Sequence, residues 1–376
     1  MSLLRIAMIV PTKDPLGPRG WSGTPHGLAE AFRAHGADVT AIGHFFSPLT
    51  RKPEAALARL GGRTSAVVDH APTRVAARGA SFQRQLDTAG DLDLVVAIGT
   101  DEYRLERLRI DAPVVTYDDG TLHQMWAHPD SDIANGDFPP RAVARWIRTQ
   151  RDSLRAADVV CVSTGWAGQS MTAHYGIDAD RVHVVGMGHR PRVASAAREW
   201  SVPVFLFVGV DWRRKNGARV LSAFARVREQ HPDAVLHLVG GHPPIAQAGV
   251  VAHGHLRKDD PGAQRTLDDL FATATAFVLP SLFDPSPIAY LEAASAGIPV
   301  IATDQGGAGE LLGDAAIVVS PTDDDDITEA MLTLAVPQEA RRRGELGAQA
   351  ASNSSWHAVT SRILGAAGID AAEVRR

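Results

Sequence analysis

Three loops carry residues whose types and order could do chemistry. In Leu279-Pro-Ser-Leu-Phe-Asp-Pro-Ser-Pro287, an apolar run ends and a proline-rich turn brings in Asp284. The spacing then predicts a helix from Pro287 to Ala296, with Ser286 as N-cap, Pro287 in the first turn, and Gly297 and Pro299 as its stop. Glu292 falls more than a turn inside that helix. Two carboxylates placed this way can accept hydrogen bonds from polyol hydroxyls, and the helix start with Pro285, Ser286 and Pro287 offers backbone groups to a hydroxyl or a phosphate. A turn Asp and a solvated Glu are the plain alternative.

The second loop, Gly209-Val-Asp-Trp-Arg-Arg-Lys-Asn-Gly217, follows another apolar run and holds consecutive cations Arg213, Arg214 and Lys215. Lysine is scarce in this chain, confined to Lys13, Lys52, Lys215 and Lys258, so one in such a loop stands out. Cations beside a helix start suit a diphosphate and can stabilise a departing phosphate. The third loop, Thr303-Asp-Gln-Gly-Gly307, places Gly306 and Gly307 where backbone could approach a ligand closely. Nearer the N-terminus, Gly20-Trp21-Ser22-Gly23 joins the first strand to the first helix without the G-x-G-x-x-G spacing of a dinucleotide site. Asp118, Asp119 and His123 follow a later strand and could touch a reacting hydroxyl, although a lone His is more often structural.

The elements that must position these loops alternate. Strands are expected at 5–10, 38–42, 94–98, 114–117, 159–162 and 182–185, then at 204–208, 235–239, 250–252, 276–279, 300–302 and 317–319. Helices are expected between them at 24–35, 55–60, 101–109, 141–156 and 167–175, then at 217–230, 264–273, 287–296, 308–312 and 326–334. Short Val/Ile/Leu strands without polar alternation are buried on both faces, which means parallel sheets covered by helices. The acidic run Asp323–Asp326 reads as a helix N-terminus, where carboxylates suit the macrodipole. The rhythm breaks at 186–201, the expected linker. The domains expected are 1–190 and 191–355, with a final helix over 356–376. In open α/β sheets ligands sit beyond the carboxyl ends of the strands, so two such domains facing a cleft would put these loops to use.

A chain of 376 residues exceeds one ordinary core. A formal charge of −5 offers no polyanion-binding surface, and nucleic acid is excluded as an expected partner. The apolar runs are too short to span a bilayer, and Ile6–Val10 reads as a buried strand rather than a signal peptide. Cys161, the single cysteine, cannot make an intrachain disulfide and reads as a small buried hydrophobe. The expected location is cytoplasmic.

Together these loops resemble the retaining glycosyltransferases of family 4, which have the GT-B fold of two Rossmann-like domains. The likeness is strongest from about Phe205 to Ser320. Asp284 and Glu292 match the family's paired acids, Gly306 and Gly307 with Glu310 its glycine pair and following Glu, and Lys215 after Gly209 its lysine. Trp212, Arg214, Lys215 and Gly217 resemble a subgroup's Trp-x-Arg-Lys loop, and Asp119-Gly-Thr121 the same subgroup's Asp-x-Thr. Ser163–Trp166 with Tyr175-Gly176 resembles the end of the acceptor domain, and Ser355-Trp356 the start of a last helix that crosses back to the N-terminal domain.

The resemblance implies a nucleotide-diphosphate sugar donor, UDP- or GDP-linked, in the second domain. Lys215, helped by Arg214, would hold the diphosphate; Glu292 the ribose; Asp284 with Pro285–Pro287 the donor sugar. Gly209, Gly306 and Gly307 would admit the backbone, and His255 and Leu256 would flank the base. Gly20–Gly23, Asp118, Asp119 and His123 would meet the acceptor, with Asp284, Asp119 and Lys215 as the catalytic set. No metal or cofactor is implied. The pattern departs from the family at three points: Asp284 stands where Glu is usual, Val210 where an Arg is usual, and the Asp118–Asp119 region where a His is frequent. An epimerase or phosphorylase on the same fold and a non-catalytic nucleotide-sugar binder remain as alternatives. Asp91-Leu-Asp93 is not a metal-binding acid pair, because it immediately precedes a strand. Thr24–His35 has Arg33 as its only fixed cation, which points to a soluble acceptor, a small molecule or glycan, rather than to a membrane surface.

Overall fold

The computed structural model describes residues 3–44, 65–193 and 198–370. They form two compact units, one of residues 1–186 with 356–376 and the other of residues 187–355. The division falls between Gly186 and Met187, inside the glycine-bearing stretch where the strand rhythm breaks.

The first unit carries strands β1 (Arg5–Val10), β2 (Asp38–Gly43), β3 (Leu94–Ala97), β4 (Val114–Asp118), β5 (Val159–Val162) and β6 (Val182–Val184). They pair in the order β2-β1-β3-β4-β5-β6, all parallel, with Ile6 opposite both Val39 and Leu94. Side chains of β1 alternate between two cores. Ile6, Met8 and Val10 join Leu28, Phe32, Leu94 and Val96 on one face. Ala7 and Ile9 join Phe82, Val95 and Tyr103 on the other. A strand buried on both faces needs no polar residue in its repeat, hence the unbroken apolar runs. Cys161 is fully buried in this core, and burial pushes its thiol up to about 12.

Helices of the first unit are α1 (Thr24–Ala34), α2 (Ser65–Asp69), α3 (Pro72–Ala89), α4 (Leu122–Ala127), α5 (Pro140–Ala156) and α6 (Gly165–Ala173). The expected helix over 55–60 lies outside the described residues. The one expected over 101–109 is not formed: turns lead to a single 3-10 turn at Leu105–Arg107. The reason is local competition. Leu105 N–H, the first amide a helix from 101 would use, donates instead to Ser153 Oγ at 3.2 Å, and Arg107 and Leu108 N–H bond three residues back, to the Arg104 and Leu105 carbonyls at 3.1 and 3.0 Å. Conversely, α3 gives no clear apolar stripe because two inward positions are Arg74 and Arg78. Asp69 at 3.0 Å and Glu102 at 3.0 Å pair with them.

The second unit repeats the plan with β7 (Val204–Gly209), β8 (Val235–Gly240), β9 (Val250–Gly254), β10 (Ala276–Val278), β11 (Val300–Thr303) and β12 (Ala316–Val319), in the order β12-β11-β10-β7-β8-β9. Its helices are α7 (Gly217–Gln230), α8 (Pro261–Thr273), α9 (Ile288–Ser295), α10 (Asp324–Leu334) and α11 (Pro337–Ser352). The helix expected over 308–312 is not formed: the stretch holds a single 3-10 turn at Ala308–Glu310, and another follows at Gly313–Ala315. Asp323 caps α10, accepting from the amides of Asp325 at 2.9 Å and Asp326 at 3.1 Å.

The last helix, α12 (Trp356–Ala366), belongs to the first unit. Val359, Ile363 and Leu364 share a core with Leu28 and Phe32, and His357 stacks on His35 at 3.9 Å. A Cβ on Gly27 would lie 2.3 Å from Trp356 Nε1, so the Trp356 ring of α12 sits against α1 in space that the glycine leaves open. Among the described residues no helix is long and apolar enough to cross a membrane.

Candidate active site

Strand order in the second unit decides which loops meet. β7, β10 and β11 are adjacent, so the loops that leave their carboxyl ends lie side by side although they are far apart in sequence. The β7 loop brings Lys215 Nζ onto Asp284 Oδ2 of the β10 loop, with Arg214 Nη1 3.8 Å from the same oxygen. Ser281 Oγ donates to that oxygen at 3.4 Å, and Arg214 Nη1 donates to the Phe283 carbonyl at 3.1 Å. Backbone joins the two loops as well, through Leu282 N–H to the Arg214 carbonyl at 2.7 Å. Asp284 is buried, 6% exposed. Its charge is met by two cations and a hydroxyl, the arrangement a buried carboxylate requires.

The β11 loop closes on the same point. Asp284 N–H donates to the Gln305 carbonyl at 3.3 Å, and a Cβ on Gly306 would stand 2.2 Å from the Asp284 carbonyl oxygen. Gly306 also has φ +85, a left-handed conformation that glycine adopts without strain. Gly209, at the end of β7, would meet the Lys215 stem at 2.8 Å if it carried a Cβ, so its bareness lets Lys215 fold back over the strand end. Gly307 is buried at the start of the following 3-10 turn.

Helix α9 starts one residue later than the sequence suggests. Pro287, not Ser286, is the N-cap and makes no side-chain cap bond; Ile288 opens the helix. Pro285 is partly exposed, while Ser286 and Pro287 are buried in the turn before it. Glu292 lies within α9 and binds Arg192 Nη2 through Oε1 at 3.1 Å. His255 and Leu256 follow β9, the edge strand, which β8 separates from β7. The strand order therefore sets them apart from the Lys215–Asp284 cluster. A cavity of about 400 Å³, lined by Arg190, Lys258, Gln264, Arg265 and Asp268 among others, lies against α8 and contains none of the expected site residues.

Two residues that sequence reasoning passed over hold these loops. Asn216, in a left-handed conformation (φ 64), donates from Nδ2 to the carbonyls of Pro280 at 3.0 Å and Pro321 at 2.6 Å. Tyr290 of α9 donates from its hydroxyl to the Leu279 carbonyl at 2.6 Å and accepts from Thr303 N–H at 3.1 Å, tying the ends of β10 and β11. An Asn before a helical glycine was the visible signal for the first. Nothing local signalled the second.

In the first unit, Gly20–Gly23 is a 3-10 turn in which Trp21 (φ 44), Ser22 (φ 57) and Gly23 (φ 92) are all left-handed. Such backbone is costly for non-glycine residues and clusters at functional sites. The Trp21 ring lies over the end of β3: a Cβ on Gly99 would be 2.4 Å from it. Asp118 ends β4 and Asp119 follows, partly exposed. Among the described residues Asp118 Oδ2 and the buried Thr100 Oγ1 have no hydrogen-bond partner. Burial, then the nearby Asp119 and Asp101, raises Asp118 well above the ordinary carboxylate value. His123 stacks on His174 at 4.0 Å; burial, then that neighbour, lowers its pKa. Thr121 caps α4 in a reciprocal pair with Gln124 and bonds Ser170 at 2.6 Å. The structure thus places Trp21 and Asp119 in turns, Asp118 at the end of β4 and His123 in the first turn of α4, all beyond or at the carboxyl ends of strands of the first sheet.

Two family profiles match the chain, "Glycosyltransferase Family 4" over residues 24–192 and "Glycosyl transferases group 1" over residues 202–336. An alpha-maltose-1-phosphate synthase of Mycolicibacterium smegmatis is 28% identical over 257 residues, which cover 59% of this chain and 65% of that protein. A D-inositol 3-phosphate glycosyltransferase of Rhodococcus jostii is 27% identical over 273 residues, 65% of this chain and 59% of that protein. The matches thus span less than two thirds of the length of these relatives. Among solved structures, a sucrose-phosphate synthase from Thermosynechococcus elongatus superposes with a TM-score of 0.66 at 17% identity, over 96% of this chain and 97% of the other. At that identity the likeness shows the fold.

Proposed function

The chain belongs to the family 4, group 1 glycosyltransferases of GT-B fold, and from that premise we propose that it moves a sugar, with retention, from a UDP- or GDP-linked donor to a hydroxyl of an acceptor. The observation that carries the reading is the convergence of Lys215, Arg214, Asp284 and Gly306 at the ends of three adjacent strands. Two cations at one point can neutralise a diphosphate and stabilise it as it departs. Asp284, shared between those cations, is placed to accept hydrogen bonds from the donor sugar once a phosphate takes Lys215. Gly306 and Gly307 let backbone amides come close to the diphosphate. Glu292 binds the ribose, and the second unit is the donor-binding half.

In the reaction the bond from the anomeric carbon to the diphosphate oxygen breaks and a bond to the acceptor oxygen forms on the same face. The acceptor proton passes to the departing phosphate, which Lys215 and Arg214 hold. The first unit is the acceptor-binding half. There Trp21 supplies an apolar platform, and Asp118, Asp119, Thr100 and His123 supply polar partners for hydroxyls. The names of the two curated relatives put sugar phosphates and cyclitol phosphates first among the acceptors to try, beside unphosphorylated sugars.

The test is release of nucleoside diphosphate from a panel of UDP- and GDP-sugars, with and without acceptor. The expected result is slow release from one donor, accelerated by one acceptor and reduced ~100- to 1000-fold in Lys215→Ala. Conversion of the donor sugar without release would instead mean an epimerase. Binding without turnover across the whole acceptor panel would mean a non-catalytic binder.

A further inference from the structure

Arg192 lies in the first stretch of the second unit, where sequence reasoning saw only a linker, yet its side chain is 5% exposed. Its guanidinium is held from three sides. Nη1 meets Asp268 of α8, Nη2 donates to Glu292 Oε1 of α9 at 3.1 Å, and the plane lies over the Phe271 ring, 4.9 Å from its centre. Its backbone N–H donates to Ser295 Oγ at 2.9 Å, and that hydroxyl donates to the Glu292 carbonyl at 2.8 Å. Main chain and side chain of Arg192 thus both fasten the turn of α9 that carries Glu292. Glu292 Oε2 has no hydrogen-bond partner among the described residues.

We infer that Arg192 is a positioning residue for the ribose contact: it fixes the Glu292 carboxylate by one oxygen and leaves the other to accept from the ribose hydroxyls. The planar fork of arginine is what this needs. It spans two carboxylates on different helices while stacking on an aromatic ring, and a lysine ammonium cannot reproduce that geometry. An unanchored Glu would sample several rotamers and lose part of its hydrogen-bond energy to ordering. The inference rests on the reading of Glu292 as the ribose partner, and the experiment separates the two.

Dissociation constants of UDP and GDP, and of their 2′-deoxy and 3′-deoxy forms, are measured by calorimetry for wild type, Arg192→Met, Arg192→Lys and Glu292→Gln. In wild type, loss of the contacted hydroxyl weakens binding roughly 10- to 100-fold, the worth of a hydrogen bond to a charged group. In Arg192→Met that ratio falls to about 3-fold or less, with binding of the deoxy forms little changed. If Arg192→Met does not fold, Arg192→Lys gives the same readout, with a ratio between the two. A purely structural Arg192 would weaken ribo and deoxy ligands by one common factor; an unchanged ratio overturns the inference. An unchanged ratio in Glu292→Gln overturns instead the assignment of Glu292 to the ribose.

Discussion

Replacing Asp284 by Asn should make the protein bind free nucleoside diphosphate more tightly while it transfers sugar more slowly. Without ligand, Lys215 and Arg214 are already engaged by the Asp284 carboxylate, and an incoming diphosphate must compete for them. At Arg214 Nη1, 3.8 Å from Oδ2, the gross attraction is ~4 kcal/mol with an effective dielectric constant near 20. Desolvation and the remaining polar partners offset most of it. A net release of ~1–2 kcal/mol is reasonable for a carboxylate removed from partly exposed cations, corresponding to a roughly 5- to 30-fold lower Kd for UDP or GDP. Asn keeps the shape and can still accept from Ser281 Oγ, so the loop should hold. The sugar nucleotide itself gains less, because the carboxylate that would accept from its hydroxyls is gone. Calorimetric titration of both proteins at one fixed ionic strength measures the difference, and the gain should shrink with added salt. Equal or weaker binding of the diphosphate by Asp284→Asn would refute the competition and with it the placement of the phosphates on Lys215.

Gly306→Ala combines a left-handed φ of +85 with a Cβ 2.2 Å from the Asp284 carbonyl oxygen; it should cost ~1–3 kcal/mol, seen as a lower Tm, and raise the KM for donor. Gly99→Ala would push the Trp21 ring off the end of β3 and should raise the acceptor KM while leaving the Kd of nucleoside diphosphate unchanged. Asp118→Asn should stabilise the protein. Because the folded pKa of Asp118 lies above its unfolded value, folding is favoured by the protonated form, and that stability is lost as pH climbs above the ordinary carboxylate value. Thermal denaturation should therefore show a larger gain for Asp118→Asn at about pH 8 than at about pH 5, and an equal gain at both would contradict the burial argument.

The loops with chemistry were readable because local pattern suffices to find them. A buried strand, then a break, then a helix marks a strand-to-helix turn; Asp284 and Lys215 each sat in one, and Gly306 follows a buried strand in the same way although only 3-10 turns come after it. Helices whose inner face is not apolar escaped. Arg74 and Arg78 turn inward from α3 on the strength of acids elsewhere in the chain. α11 buries Ala340, Gly344, Gly347 and Ala351, and Gly344 packs so closely that a Cβ would lie 2.3 Å from the Gly297 carbonyl. Small residues chosen for close approach leave no hydrophobic period to read. The start of α9 was misplaced by one residue: Ser286 looks like a cap, but it is buried in the turn and Pro287 takes the N-cap position.

By itself the sequence determined that the chain builds parallel sheets, where their strands lie, and which turns hold cations, acids and paired glycines. These follow from side-chain pattern and backbone preference over a few residues. Tertiary structure alone decided that β7, β10 and β11 are neighbours, and therefore that Lys215, Asp284 and Gly306 share one point. It also decided that Arg192 reaches Glu292 across a hundred residues of chain, whereas the return of α12 to the first unit was already implied by the resemblance at Ser355-Trp356. Strands pair through backbone groups that are alike at every residue, so their order is set by how the crossovers pack and leaves no signature in the strands themselves.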